Sequence, residues 1–413
     1  MSQDSNFFAG QPAFKQIIDL VDKELVRDLV AKYNSDWYVK SLKTYEHLIV
    51  MLYGVMSGCN SLRELVLGLT VKASRLRHLG LDYRPPRSTI SDANARRGSD
   101  LFGDLYMLLY DKYSRFLSDS RASNRRERRK KLPVKKLVAY DSTTITLFMD
   151  VLKGCDKAYE RGRKAGRRKG GIKVHSLMNV SEGVIRLACL SEAAMSDSKR
   201  MRDLLTLEPG SMATFDKGYS NHEVLEEMSR LGIFYTTRLK DNVKYETQSE
   251  ILHRLDSSGG VASDSRILLS LSGKAKHKAR RIEYIDSESG RRLVFLTNNF
   301  KLKAETIARI YRERWKIELM FKKLKQNFQL KYFYGDSANA VEIQVWCVLI
   351  ASLLMTAFKA MNEIDKMSFS NMMFATRCVL MEYVWLRMVL AAPEKTLEKI
   401  FYNRANAPPT LFD

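Results

Sequence analysis

Four polar residues, Tyr311, Arg314, Glu318 and Lys325, lie in the run Tyr-Arg-Glu-Arg-Trp-Lys-Ile-Glu-Leu-Met-Phe-Lys-Lys-Leu-Lys. The run holds no Gly or Pro and is rich in strong helix formers, so the spacing predicts a helix over 311–325. At about 100° per residue the four fall within roughly a 60° arc of one face. Beside them runs an apolar stripe of Ile310, Ile317, Phe321, Leu324 and Phe328. Such a helix can bury one side while holding a carboxylate, two cations and a phenol at the edge of a core. That set suits a metal ligand flanked by phosphate contacts. It equally suits a half-buried amphipathic helix with solvated charges and i,i+4 pairs, and helix geometry alone does not choose.

The spacing Y-x2-R-x3-E-x6-K resembles the signature of DDE transposases of the bacterial insertion-sequence-four type, with all four positions in agreement. The resemblance implies an RNase H-like catalytic core and two aspartates upstream. Asp141 and Asp216 match them. Each ends a short apolar run, Leu137-Val138-Ala139-Tyr140 and Met212-Ala213-Thr214-Phe215, and Asp216 opens the D-x-G-Y sequence Asp216-Lys217-Gly218-Tyr219. A lone Asp at a strand end is as often a turn former. By resemblance, Asp141, Asp216 and Glu318 are the catalytic acids and metal ligands. Tyr311, Arg314 and Lys325 then hold phosphates of the element's terminal nucleotides, near a flipped base. Arg314 can grip a phosphate with two donors, and Lys325 acts as a point charge.

A carboxylate cluster without thiols or imidazoles prefers Mg2+ or Mn2+. Two ions about 3.5–4 Å apart can serve the attacking and leaving oxygens of a phosphodiester. Without cations, three crowded acids repel each other and share protons. The resemblance makes water the first nucleophile and the freed 3′ hydroxyl the second, and its YREK subgroup implies a hairpin intermediate. Trp315 lies on the other flank of the stripe, either to stack on DNA or to pack against the sheet. The segment 239–292 has no Trp to receive a flipped base, and the choice among Tyr245, Tyr284 and Phe295 stays open. His175 and His222 lie outside the motif. They read as a strand residue and a first-turn helix residue with no direct role.

Composition agrees with a polyanionic partner. The 413 residues carry a net charge of +22, while the apolar fraction of 45% is that of a globular protein. Five scattered cysteines form no CxxC or Cys/His cluster, so neither a zinc site nor a disulfide framework is indicated. No signal peptide is evident, and the apolar stretch 345–355 reads as a buried helix too short for a bilayer. A cytoplasmic, nucleoid-associated protein without membrane contact is expected.

Along the chain, residues 1–120 read as a helical DNA-binding region. Within it Ser88 caps a short helix to Arg97, whose Ser88, Ser91, Asn94, Arg96 and Arg97 can reach bases or phosphates. Residues 121–136 read as a basic linker able to track phosphates, 137–238 and 293–340 as the RNase H-like mixed-sheet core, 239–292 as a β-rich insertion, and 341–413 as a C-terminal helical region. A Gly/Arg-rich loop before the 172–190 hairpin offers Arg167 and Arg168 to DNA. The fold class is therefore α/β with helical flanks. The expected activity is metal-dependent cleavage and strand transfer at terminal inverted repeats and target DNA, by a homodimer that holds two ends together. A plain RNase H-like nuclease and a catalytically silent DNA-binding descendant are the other readings. The intact acids argue against the second.

Overall fold

The computed structural model describes residues 9–117, 132, 134, 136–146, 171–192, 196–253, 260–270, 276–391 and 394. The chain divides into two compact units. Of the described residues, those within 132–145 and 171–321 form one, built on a sheet, and those within 9–117 and 322–394 form the other, built of helices.

The sheet has nine strands: β1 (Leu137–Thr146), β2 (Gly171–Asn179), β3 (Val184–Glu192), β4 (Met212–Phe215), β5 (Phe234–Arg238), β6 (Tyr245–Leu252), β7 (Gly260–Ser270), β8 (Lys276–Ile285) and β9 (Arg292–Thr297). Their spatial order is β3-β2-β1-β4-β5-β9-β8-β7-β6. β1, β4 and β5 run parallel, and β9 joins β5 antiparallel. This mixed sheet with a parallel centre is the expected RNase H-like core. The central strands are apolar at successive residues because both faces are covered: Leu137 to Tyr140 and Met212 to Phe215 are all buried. β7 instead alternates buried and open positions, and β6 at the edge is exposed throughout. The strands of 239–292 thus continue the same sheet beyond β9. A core of Tyr140, Phe215, Tyr219 and Tyr235 packs with Met201 and Leu204 from the 3₁₀ segment Asp197–Thr206 and with Val224, Leu225 and Met228 from the helix His222–Arg230. Asn221 caps that helix, accepting from Glu223 and Val224 N–H.

The helical unit is organised on Ala338–Met361. Among the described residues this helix alone is long and apolar enough to cross a membrane, more than the 345–355 stretch suggested, and 83% of its apolar window is buried inside the protein. Buried Gln344 is satisfied there, accepting from Tyr334 N–H at 2.8 Å and donating to Tyr332 O at 2.8 Å. Gly54 lies in the helix Thr44–Ser57 because nothing larger fits. A Cβ would stand 2.5 Å from Leu65 Cδ1 and 2.9 Å from the Tyr334 ring. Alanine gains about 1 kcal/mol in helix propensity, but overpacking costs about 1–3 kcal/mol. Gly54→Ala should therefore lower stability, read as a reduced urea midpoint; an unchanged or raised midpoint would contradict the packing.

The helix Arg87–Arg96 differs from expectation in two ways. Pro86 precedes it, and no side chain caps it, so Ser88 is not the cap. Asn94 and Arg97 face inward, which removes them from DNA contact. Asn94 Oδ1 accepts from His47 Nε2 at 2.8 Å. Arg97, 5% exposed, donates to Thr44 Oγ1, to Leu42 O and to Asp36. A Ser/Arg-rich helix looks like a DNA reader in sequence, but a buried guanidinium needs several acceptors, and the 36–44 loop supplies them. Ser88, Ser91 and Arg96 remain exposed. Burial pushes the His47 pKa down to about 3, with the charge of Arg97 acting the same way. An unfolded imidazole protonates near pH 6.5. Stability is thus full above about 6.5 and falls as pH drops towards 3, by up to about 1.4 kcal/mol per pH unit for this group. Urea melts from pH 7 to 5 should show that slope added to those of the other buried histidines, and His47→Gln should reduce it by the His47 share.

Candidate active site

The register of two strands builds the site. Tyr140 pairs with Phe215 in the parallel β1/β4 ladder, so the next residues, Asp141 and Asp216, stand side by side at the same sheet edge. Adjacent strands lie about 4.8 Å apart. Carboxyl ends of parallel strands are where α/β sheets bind ligands. Asp141 Oδ1 accepts from Ser142 N–H at 2.8 Å, and Asp216 Oδ2 from Gly218 N–H at 3.1 Å. Neither the backbone nor the space at Gly218 requires glycine. Its φ is not positive, and a Cβ would sit 3.5 Å from Asp216 Oδ2 and 3.5 Å from Asp197 Oδ2.

Glu318 reaches the same place from the third segment. Arg314 Nη1 lies 2.9 Å from Asp141 Oδ2 and 2.6 Å from Glu318 Oε1. Burial raises the Asp141 pKa to about 6. Ser142 N–H and Arg314 oppose the rise, while the charges of Glu318 and Asp216 add to it. The three acids therefore share one electrostatic neighbourhood. Burial works against the charge on Arg314, but Tyr311, Glu318 and Asp141 outweigh it and hold its pKa above the usual value.

The continuous helix expected over 311–325 is interrupted. One helix ends at Arg312 and the next runs Trp315–Asn327. Between them Arg314, Lys316 and Ile317 N–H donate to Tyr311, Glu313 and Arg314 carbonyls, an i→i+3 pattern. A 3₁₀ turn inside a helical run often marks a functional position, and here Arg314 sits in it. Tyr311 packs on Phe295 with centroids 5.0 Å apart, and the Arg314 guanidinium lies 5.7 Å from the Tyr311 ring centre. Arg314 Nε is buried and has no hydrogen-bond partner. Lys325 is exposed on the Trp315–Asn327 helix, two turns beyond Glu318.

Beside Tyr311 and Arg314 opens a cavity of about 270 Å³, lined by Tyr284, Asp286, Leu293, Phe295, Ala308, Tyr311, Arg312, Arg314 and Trp315. Trp315 is 56% exposed, so it is a surface residue at this cavity and not core. Tyr245 is not among the lining residues. Arg96 is exposed on its helix in the helical unit, and Arg97 is buried there. Arg167, Arg168 and, of the basic run 121–136, residues 121–131, 133 and 135 lie outside the described residues. His175 is buried, bonded to Tyr219 OH at 3.1 Å and Ser191 Oγ at 2.9 Å, and burial lowers its pKa to about 4. Burial also lowers the His222 pKa.

Sequence reasoning missed Asp197. Its Oδ1 accepts from Ser142 Oγ at 2.9 Å and from Lys173 Nζ at 3.2 Å. In the sequence it reads only as the acid opening a short helix; its proximity to Asp141 and Asp216 exists only in the fold.

Three carboxylates without thiol or imidazole form a donor set for a hard divalent cation. Burial is the main reason the Asp141 pKa is raised, and the neighbouring charges of Glu318 and Asp216 add to it. Among the described residues no three Asp, Glu, His or Cys side chains are grouped closely enough to hold an ion as they stand. The Arg314 guanidinium lies against Asp141 and Glu318, so a cation bound there has to displace it.

Comparison with known proteins agrees with this chemistry. A family model described as "Transposase DDE domain" matches residues 132–354, and "Domain of unknown function (DUF4372)" matches residues 9–82. The chain is 29% identical over 284 residues to the y4zB transposase of Sinorhizobium fredii, covering 68% of this chain and 73% of that one. It is 28% identical over 233 residues to a transposase for insertion sequence element IS5377 from Geobacillus stearothermophilus, covering 56% and 59%. Among solved structures, the piggyBac transposase synaptic complex with hairpin DNA aligns with a TM-score of 0.45 and 9% identity, over 98% of this chain and 86% of that one. With a DDE model spanning more than half its length and the acids of Asp141, Asp216 and Glu318 at one sheet edge, the chain belongs to the transposase DDE domain family.

Proposed function

We propose that this transposase is of the insertion-sequence-four type. It binds the terminal inverted repeats of its own element, cuts them and joins the freed ends to target DNA. The observation that carries the reading is the ion-paired set Asp141–Arg314–Glu318 beside Asp216, in register at the carboxyl end of β1 and β4. Asp141, Asp216 and Glu318 would hold Mg2+ or Mn2+, two ions per site, which supply Lewis-acid stabilisation of charge on the phosphodiester. Arg314 grips a phosphate oxygen and orients the strand; Tyr311 packs against it from Phe295. Lys325 adds a point charge further along the helix. The aromatic cavity between Tyr284, Phe295, Tyr311 and Trp315 is large enough for one extruded base, which favours Tyr284 and Phe295 over Tyr245 as its walls. The exposed Arg96, with Arg167 and Arg168, adds contacts along the DNA. Water first hydrolyses a phosphodiester to leave a 3′ hydroxyl and a 5′ phosphate, and that hydroxyl then attacks a second phosphodiester, forming a new P–O bond as the attacked strand's own 3′ oxygen leaves as a hydroxyl. A hairpin on the element's ends is the cleavage route of this subgroup. Two ends must be joined together, so the working complex is a homodimer on two duplexes, acting at the nucleoid of a bacterial cytoplasm without a membrane partner.

The test is a short terminal-repeat duplex incubated with the protein and Mg2+. Cutting followed by covalent joining to a target plasmid is expected. Nicking without joining, under conditions where both ends are bound, would reject transposition in favour of a plain nuclease.

A further inference from the structure

We propose that Asp197 is a positioning residue of this site, bracing the Ser142 side chain next to Asp141 and standing against the turn that holds Asp216, so that the acids meet divalent ions and DNA in a fixed geometry. This rests on reading the site as a metal-dependent cleavage centre. One carboxylate bonds the side chain that follows Asp141 and stands close to the turn that holds Asp216. Its Oδ1 accepts from the hydroxyl of Ser142, the residue after Asp141, at 2.9 Å. Its Oδ2 lies 3.5 Å from the Cβ position of Gly218, whose N–H is the hydrogen bond that fixes Asp216. Lys173, on β2, donates to Oδ1 at 3.2 Å and balances the charge, so Asp197 does not add an uncompensated repulsion to the acids.

The plain structural alternative is a helix cap. The geometry speaks against it. Ser196 precedes the Asp197–Thr206 segment and makes no side-chain cap bond, and no hydrogen bond joins the Asp197 carboxylate to a backbone N–H of its own segment among the described residues. Charged groups that orient metal-binding carboxylates typically change metal affinity or activity by about 10–100-fold when removed. Ser142 is the lighter handle, since Ser142→Ala deletes one hydroxyl and leaves Asp197 paired with Lys173.

The experiment measures Mn2+ affinity by calorimetry on the full chain bound to terminal-repeat duplex, for wild type, D197N, S142A, the double variant and D216A, with thermal midpoints and duplex affinity recorded for each. The expected result is a Mn2+ affinity weakened about 10–100-fold in D197N, a smaller loss in S142A, a double variant no worse than D197N, and unchanged duplex affinity. A D197N protein that binds Mn2+ within twofold of wild type, while D216A has lost it, overturns the role of Asp197 alone. Unchanged Mn2+ affinity in D216A as well overturns the metal-centre reading itself, and the role of Asp197 with it. Should D197N not fold, S142A decides: a weakened affinity at a wild-type midpoint supports the proposal, and an unchanged one rejects it.

Discussion

Asp216→Ala should abolish DNA cleavage while leaving binding of the terminal repeat intact. Asp216 ends β4 directly beside Asp141, and its carboxylate is held by the N–H of Gly218, so its removal takes one wall from the site without touching the core. Loss of a cation's charge stabilisation is worth several kcal/mol. At about 1.4 kcal/mol per decade the rate should fall by about a thousandfold or more. Electrophoretic mobility shift and strand-cleavage assays on the same duplex check the two halves. Residual cleavage within tenfold of wild type would remove Asp216 from the chemistry. A parallel loss of binding would mean that the change damages the fold.

Arg314→Ala should produce two effects of opposite sign. In the protein without DNA, Arg314 neutralises Asp141 and Glu318. Deleting it leaves two close carboxylates unpaired, so Mn2+ should bind the DNA-free variant more tightly than wild type. Cleavage should nonetheless fall by about 10²–10³-fold, the range for losing one donor aimed at developing charge. Arg314→Lys should not restore it, because a compact ammonium cannot keep one contact to each acid and present another to a phosphate. Calorimetry without DNA and cleavage rates with DNA read the two effects separately. Weaker Mn2+ binding in Arg314→Ala would show that the guanidinium builds the metal site and does not compete for it.

Much of this arrangement is legible in the residues. β4 is a short, mostly apolar run followed by an acid, and its burial as a strand follows from that run, while its parallel pairing with β1 and β5 appears only in the fold. The hairpin of β2 and β3 announces itself by alternating strands around Ser181-Glu182-Gly183, with Gly183 at φ +64° as the turn requires. What the sequence hides is decided by contacts between distant segments. No Gly or Pro marks the 3₁₀ turn at Arg314, whose guanidinium is ion-paired across 173 positions to Asp141. Asn94 and Arg97 have the residue types of a DNA reader, yet buried His47 and the 36–44 loop claim them. Asp197 reads as the acidic start of a short helix until β1, β2 and the Gly218 turn are brought against it. The cavity beside Tyr311 takes residues from β8, β9 and two helices, so no local pattern could have picked Tyr284 and Phe295 over Tyr245.

Iron-directed backbone cleavage tests the convergence of the three acids most directly. Fe2+ exchanged into the DNA-bound protein, then treated with ascorbate and peroxide, generates radicals that cut the chain close to the metal. Mass spectrometry should find cuts clustered near residues 141, 216 and 318 together, all suppressed by excess Mg2+. Cuts near only one of these segments, or elsewhere in the chain, would contradict a shared metal site.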